Sequence, residues 1–265
     1  MPEADQLQIS AAEAAFAAEH GTGPGHPLCV VMAALNEAEV IGDVVRSIPP
    51  EVCGLQTECL VVDDGSTDGT AEAARQAGAL VCRLGVNLGQ GLALRAGYGL
   101  ASSRRALYIA TMDADGQFDA GELERLIAPL VAGRADMVNG SRRLGRSETT
   151  DRVRAAGVVA FGALVSVLSG TRITDPANGF RAFIPEVPQR VPLRQPQYQT
   201  SELLMGALGL GYRVVEVPVT VRPRVAGHSK KGTNLLYGYR FGRVILTTWW
   251  SQRRRRAGRP ARPHS

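Results

Sequence analysis

Residues 107–117 read Leu-Tyr-Ile-Ala-Thr-Met-Asp-Ala-Asp-Gly-Gln, an apolar run that stops in two carboxylates one residue apart. The apolar half predicts a buried strand. Its polar end predicts that Asp113, Asp115 and Gln117 emerge at the strand's C-terminal tip. In an extended chain residues i, i+2 and i+4 point to one side, so these three oxygen-bearing side chains would share one small volume. Two carboxylates that close repel unless a cation or a shared proton lies between them. A hard divalent ion fits, because Mg²⁺ typically takes one or two carboxylates together with substrate phosphates. The competing reading is a polar turn, with Asp113 and Asp115 capping the next helix. The surrounding sequence decides between them.

The same motif of apolar strand and polar tip recurs on the N-terminal side. Leu28–Ala34 (LCVVMAA) is followed by Asn36-Glu37, which open a helix reaching about Ser47. Cys59–Val62 breaks into Asp63-Asp64-Gly65-Ser66-Thr67-Asp68-Gly69-Thr70, a turn and capping sequence, with a helix to about Ala77. Ala79–Leu84 is a third short strand, then a glycine-rich loop (residues 85–91) and a helix to about Ser102. Beyond the central stretch come a helix over 120–132 and a strand beginning at Met137-Val138 and ending in Asn139-Gly140-Ser141-Arg142. Regular alternation of strand and helix predicts an α/β fold, a mostly parallel sheet with helices on both faces. Ligands of such sheets bind beyond the carboxyl ends of the strands, and every unusual polar cluster falls there. No G-x-G-x-x-G follows the first strand and no G-x-x-x-x-G-K-[ST] loop occurs, which disfavours dinucleotide-binding and P-loop enzymes.

The second half is less regular. It predicts a helix over 151–169, a turn at Asp175-Pro176-Ala177-Asn178-Gly179, a short strand over 180–183 and a helix over 200–208. A last strand, 212–219, carries Pro218, which suits a sheet edge. Residues 1–27 read as a marginal helix and a Gly/Pro linker outside the catalytic core.

Composition describes an ordinary soluble globular chain: 265 residues, 45% hydrophobic and 21% charged. The net charge of +5 belongs to the C-terminal tail, residues 253–265, which holds six Arg and no acid. The rest of the chain is near neutral. Such a tail reads as solvated or as drawn to an anionic lipid surface. No nucleic-acid partner is expected. Cys29, Cys53, Cys59 and Cys82 lack metal-ligand spacing and read as reduced core thiols, which points to the cytosol. No signal-peptide pattern and no run of about 18 apolar residues is present. Asn234–Trp250 (NLLYGYRFGRVILTTWW) reads as an amphipathic helix. Arg240, Arg243 and Thr247 share one face, and Leu235, Tyr239, Gly242, Leu246 and Trp249 form a stripe beside it. With the adjacent arginines this predicts a helix lying on the inner face of a membrane. The expected organisation is an N-terminal extension (1–27), a catalytic domain (28–232), the amphipathic helix (233–252) and the basic tail (253–265).

The ordered set VVMAALNEAEVI, LVVDDGSTDGT, RLGVNLGQGLALRAGY, MDADGQFD, DMVNGSRR, DPANGFRAF and VVEVPVTVRPRVAGHSK resembles family-2 glycosyltransferases of the GT-A fold, nearest the polyprenyl- or dolichyl-phosphate sugar synthases. That resemblance implies a Rossmann-like, mostly parallel sheet with a smaller acceptor-side region. It implies that Glu37 and Asp64, with Asp63 beside them, contact the nucleotide's base and ribose. It implies that Asp113, Asp115 and Gln117 hold Mg²⁺ or Mn²⁺ against the diphosphate, and that Arg142, Arg222, Arg224 and Lys230 face phosphate charge. The first motif departs from the family, with Ala33 and Leu35 where Pro and an aromatic are usual. The Q-x-x-R-W motif of processive synthases is absent, so a single sugar is transferred. The expected reaction is inverting transfer from a GDP- or UDP-linked sugar to a polyprenyl phosphate. The alternatives are transfer to a hydroxyl and a catalytically silent binding module. A lipid phosphate is already ionised, whereas a hydroxyl needs a positioned carboxylate. Asp175 and Glu202 are the candidate bases. Asp175 reads equally as a turn initiator before proline, and Glu202 as a solvated helix residue.

Overall fold

Alternate residues of the first strand fill two different cores. In β1 (Leu28–Ala34), Leu28, Val30 and Met32 pack into one cluster, and Cys29 and Val31 into the other. A strand buried on both faces forces helices onto both faces of the sheet. The computed structural model describes residues 3–148, 152–193, 199–223 and 242–250. After α1 (Glu3–His20) and β1 come α2 (Ile41–Ser47), β2 (Glu51–Val52), β3 (Leu55–Asp63), α3 (Thr70–Gln76), β4 (Leu80–Arg83), α4 (Gln90–Ser103) and β5 (Tyr108–Thr111). A 3₁₀ turn leads into α5 (Leu123–Val131). Then come β6 (Met137–Ser147), α6 (Arg152–Ser169), β7 (Arg181–Phe183), α7 (Glu186–Arg190), α8 (Gln199–Leu210), β8 (Val214–Val221) and a helix over 242–250, α9.

The strand order is β2-β3-β1-β5-β7-β6-β8, with β4 beside β3. β1, β3, β4 and β5 are mutually parallel, and β6 is parallel to β8. β7 runs antiparallel between β5 and β6, as the short β2 does against β3. The carboxyl ends of β1, β3, β5 and β6 therefore share one edge of the sheet, and the segment entering β7 lies over that same edge. β8 is the outer strand, so Pro218 leaves no ladder bond unmade.

Several boundaries differ from the sequence reading. Within the N-terminal extension, α1 joins the hydrophobic core: Ile9, Ala12 and Phe16 are buried in the same cluster as Val31, Val62, Cys82 and Leu84. Their spacing of three and four places them on one helix face, a narrow stripe hidden among alanines. α1 covers β4, which pairs with β3 only. His20 Nε2 accepts the Val81 N–H at 3.4 Å, and Glu19 pairs with Arg75 at 3.1 Å. A helix laid over an edge strand shields unpaired main-chain groups. The strand begun at Met137 does not end within Asn139–Arg142 but continues to Ser147 along β8, with a register shift between Ser141 and Arg146. A β2–β3 hairpin, turned by Cys53 and Gly54 at φ 52° and 78°, was not foreseen.

α9 lies along α6. Val244 and Ile245 are buried and Trp249 Nε1 donates to Leu168 O at 3.0 Å. The expected apolar stripe is thus divided: Trp249 faces the protein, whereas Leu246 is exposed. Leu235 and Tyr239 of that stripe, Arg240, and the tail 253–265 lie outside the described residues. No helix among the described residues is long and apolar enough to cross a membrane.

The packing of α1 has a measurable consequence. Phe16→Ala should cost about 3 kcal/mol, as large aromatic truncations in cores do. The melting temperature should drop by roughly 5–10 °C. An unchanged melting curve would mean that α1 contributes nothing to the core.

Candidate active site

One half of the edge is built by two loops zipped together. Asn36, at φ 52°, donates its N–H to Ser66 Oγ at 2.9 Å and accepts the Thr67 N–H on Oδ1 at 2.9 Å. The Glu37 N–H meets Thr70 Oγ1 at 2.9 Å, and the Ala38 N–H meets Asp68 Oδ2 at 3.1 Å. Short polar side chains thus satisfy the main chain where two strands end, and the Glu37 side chain sits half-buried beside them. Asp63 is fully buried, with Oδ1 on the Ser66 N–H at 2.9 Å. Its Oδ2 lies 3.4 Å from Arg83 Nε yet has no hydrogen-bond partner, so this is charge proximity without hydrogen-bond alignment. Asp64 reaches across to the glycine-rich loop: Oδ1 accepts the Leu88 N–H at 2.8 Å and Oδ2 the Gly89 N–H at 2.9 Å. Burial pushes the Asp64 carboxyl up to about 6, with Asp63 adding to the rise and the two loop N–H groups opposing it.

β5 ends at Thr111, and the chain then turns rather than staying extended. Gly116 has φ 74°, and Asp115 Oδ1 accepts the Gln117 N–H at 3.1 Å, a local turn that side-chain alternation cannot describe. Asp113, Asp115 and Gln117 therefore do not line up as i, i+2 and i+4 of one strand. Asp115 is buried. Asp113 is half-buried, accepts from Gln90 Nε2 at 3.3 Å, and lies against Gly179, where an added Cβ would come 3.0 Å from its Oδ1. Gln117 Nε2 donates to Arg222 O at 2.9 Å, tying the turn to the end of β8. Arg222 itself pairs with Asp119 at 2.7 Å. Among the described residues no group of three or more His, Cys, Asp or Glu side chains is arranged to hold a metal.

The other side is built from the loop 174–179. Asp175, fully buried, accepts from Arg142 Nε at 2.7 Å, Arg142 Nη2 at 3.3 Å and the Arg142 N–H at 3.1 Å. Asn178 Nδ2 adds a contact at 3.4 Å. Arg142 lies within β6 rather than after it, at the register shift. Beneath the loop, Arg181 is buried and meets three main-chain carbonyls, those of Asn178 (2.7 Å), Pro176 (2.8 Å) and Thr200. Burial lowers its guanidinium to about 10, with Tyr98, Asp175, Glu216 and Asp113 acting to raise it, so it stays charged at neutral pH. Thr111 Oγ1 donates to Gly179 O at 2.7 Å, and Asn139 Nδ2 to Asp175 O at 2.9 Å. Glu202 is buried on α8. Lys230 and Arg224 lie outside the described residues.

The edge thus brings together Glu37, Asp63 and Asp64 in one half and Arg142 with Asp175 in the other, with Asp113 and Asp115 on the strand between. The sequence reading assigned no role to Gln90, Asn139, Arg181 or Glu216. Arg181 and Glu216 had a visible signal: each is a charged residue inside an otherwise apolar strand.

The description Glycosyl transferase family 2 matches residues 29–187. A dolichyl-phosphate hexose transferase of Haloferax volcanii is 34% identical, the match covering 77% of this chain and 86% of that one. A polyprenol monophosphomannose synthase of Mycolicibacterium smegmatis is 31% identical, covering 80% and 84%. Among solved structures, glucosyl-3-phosphoglycerate synthase of Mycobacterium tuberculosis, in complex with Mn²⁺, UDP-glucose and phosphoglyceric acid, superposes with a TM-score of 0.68 at 25% identity, covering 91% of this chain and 83% of that one. The matched stretch runs from β1 through α7 and contains both halves of the polar edge, and on that ground this chain belongs to glycosyl transferase family 2 and is a glycosyltransferase of the GT-A fold.

Proposed function

We propose that this glycosyltransferase moves one sugar, with inversion, from a nucleoside-diphosphate sugar to a polyprenyl phosphate at a membrane surface. The observation that carries the reading is the Arg142–Asp175 pair. Asp175 is buried with both oxygens taken by Arg142, so it is poorly placed to remove a proton from a hydroxyl. A phosphate acceptor needs no base, and a guanidinium held side-on by a carboxylate is well suited to it. The relatives named for dolichyl-phosphate and polyprenol-phosphate products support the same acceptor class. A second reading, transfer to a hydroxyl of a small phosphorylated acceptor, draws on the likeness to the synthase that binds phosphoglyceric acid. Glu202 would then be the base.

Asp113 and Asp115 offer hard oxygen donors and fit a divalent ion that completes its shell with substrate phosphates. Gln117, its amide nitrogen anchored on Arg222 O, would add its side-chain oxygen. Asp113 and Asp115 would hold Mg²⁺ or Mn²⁺ there, and such an ion would supply positive charge against the leaving diphosphate. Glu37, Asp63 and Asp64 receive the base and ribose. Each Asp64 oxygen keeps a second lone pair beyond its loop N–H, so it can bind the nucleotide and fix the loop together. Arg222 and Lys230 serve the phosphates. The membrane side is the surface where α6 and α9 meet. Leu246 and Trp250 are exposed on α9, Val159 and Val167 are exposed on other faces of α6, and in the sequence the arginine tail follows α9.

Three outcomes test this. Offered a panel of UDP- and GDP-sugars with polyprenyl phosphate, the protein should give a lipid-linked monosaccharide by mass spectrometry. EDTA should stop the reaction, and Asp115→Asn should lower turnover by about 10²-fold or more, since it removes a charge while keeping the turn's acceptor. Undiminished activity in EDTA would remove the metal from the reaction.

Nucleotide affinity should depend on Asp64 ionisation. The folded carboxyl titrates near 6, so going from pH 7 to pH 5 should weaken nucleotide binding by about tenfold. The sign for stability is opposite. A raised carboxyl favours the folded state when protonated, a contribution present below its unfolded pKa of about 4 and lost as pH rises through about 6. Acidification therefore loosens the nucleotide without unfolding through this group. Calorimetry of Asp64→Asn should show a flat profile; the parent's profile surviving in that variant would exclude Asp64.

The protein should sediment with vesicles containing anionic lipid. High salt should weaken this, as should deletion of 233–265 or the pair Val167→Asp and Trp250→Asp. Equal sedimentation of parent and variants at low salt would rule out this surface.

A further inference from the structure

We infer that Glu216, on the edge strand β8, is a positioning residue for Arg142 that acts through the main chain of Thr174 and Asp175. As a role in the reaction this rests on the proposed reading of Arg142 as a phosphate-facing group. The geometry is complete on the protein side. Oε2 accepts the Thr174 N–H at 2.6 Å and Thr174 Oγ1 at 2.7 Å. Oε1 accepts the Asp175 N–H at 3.1 Å and Asn139 Nδ2 at 2.9 Å. An ionised carboxylate has about four lone-pair sites, so this one is saturated by donors. Asn139 is the register partner of Glu216 on β6, and its amide also donates to Asp175 O. Asp175 is therefore held at its own N–H by Glu216 and at its own C=O by Asn139. With both sides of the residue fixed, its carboxylate is aimed at Arg142.

A second path ends on the same arginine. Thr174 gives its hydroxyl proton to Glu216, so in the 2.6 Å contact with Ser141 it is the acceptor. Ser141 Oγ accepts in turn from the N–H groups of Arg143 and Leu144 at 3.2 Å each. The chain is thus pinned on both sides of Arg142 by hydroxyls that lead back to Glu216. A solvated carboxylate on an edge strand would make none of these bonds. A carboxylate serving stability alone would affect the whole protein equally when lost.

The test uses the full chain with ¹⁵N-labelled arginine. Hydrogen exchange at the Arg142 Nε–H, assigned by its loss in Arg142→Lys, is compared between parent and Glu216→Gln. The amide substitution keeps the shape but turns one acceptor oxygen into a donor facing donors. Exchange at Arg142 should speed by about tenfold or more, reflecting a looser local structure. The Nε–H of Arg104, which is paired with Glu58 far from this network, should not change. Thr174→Val, which removes one of the four bonds, should shift Arg142 the same way by less, and it decides the matter if Glu216→Gln does not fold. In steady state, Glu216→Gln should raise KM for polyprenyl phosphate by about tenfold, while calorimetric nucleotide affinity stays within about two-fold. Unchanged Arg142 exchange in the folded variants would overturn the inference. So would a parallel loss of nucleotide affinity and Arg104 protection. If the parent transfers no sugar to polyprenyl phosphate, the acceptor assignment falls, and the exchange rates still judge Glu216.

Discussion

A guanidinium buried without water has to be surrounded by acceptors, and the architecture of this site depends on how Arg181 meets that demand. Removing a charge from water costs several kcal/mol unless hydrogen bonds replace its hydration. Arg181 finds main-chain carbonyls rather than a carboxylate, and two of them belong to the loop 174–179. It does not act alone. Thr111, Arg181, Asn139 and Glu216 are register partners on β5, β7, β6 and β8, a polar row crossing the sheet next to its carboxyl edge. Together they hold the N–H groups of Thr174 and Asp175 and the carbonyls of Asp175, Pro176, Asn178 and Gly179. The loop that presents Asp175 to Arg142, and Gly179 to Asp113, is racked by its backbone. Its side chains are left for other work.

The two halves of the site are held by different means. At the tips of β1 and β3, side chains bridge loop to loop: Asn36, Ser66, Asp68 and Thr70 zip the two strand ends, and Asp64 draws in the glycine-rich loop. That half gathers carboxylates, and one of them is pushed toward neutrality by burial. The half at β6 and β7 gathers the cations Arg142 and Arg181, each already engaged with the protein. Asp113 stands where the halves meet, touched by Gln90 from one and Gly179 from the other. In the proposed function, a divalent ion and a diphosphate would lie along this boundary, with negative side chains toward the nucleoside and positive ones toward the acceptor.

Much of this was legible in the sequence, for a physical reason. Buried parallel strands are written as unbroken apolar runs, and their polar tips can be read directly, so β1, β5 and the carboxylates Asp63, Asp64, Asp113 and Asp115 stood out. The path of the chain beyond a strand tip is harder to read. The alternation rule applied to residues 113–117 failed because Gly116 and the Asp115–Gln117 bond turn the chain. β6 was cut short because its polar half, Arg142–Ser147, is a strand only by virtue of pairing with β8, a partner distant in sequence. α1 was set aside because three apolar residues among alanines carry a weak periodic signal, and only the bare edge of β4 explains why they are buried. The polar row was invisible as a row, since register between β5, β6, β7 and β8 is a tertiary fact. Its members were visible singly, as Arg181 beside Phe180 and Phe183, and Glu216 between valines.

The reversal of β7 explains why the half of the site built on the loop 174–179 exists at all. In a fully parallel sheet, the connection entering each strand arrives at the amino edge, away from the ligand. β7 runs the other way, so the residues just before it cross the carboxyl edge and become a wall of the site. A strand of three residues has little side-chain area with which to fix such a wall. The charged row supplies directional bonds in its place, and the antiparallel neighbours β5 and β6 supply two of its members. The same reversal sets Asn178 and Gly179 beside Arg181, so the carbonyl bonds that satisfy the buried arginine also close the wall. Loss of Glu216 at the outer end of the row should then be felt at Arg142 before it is felt in the core. A loss of Arg181 at its centre should be felt in both.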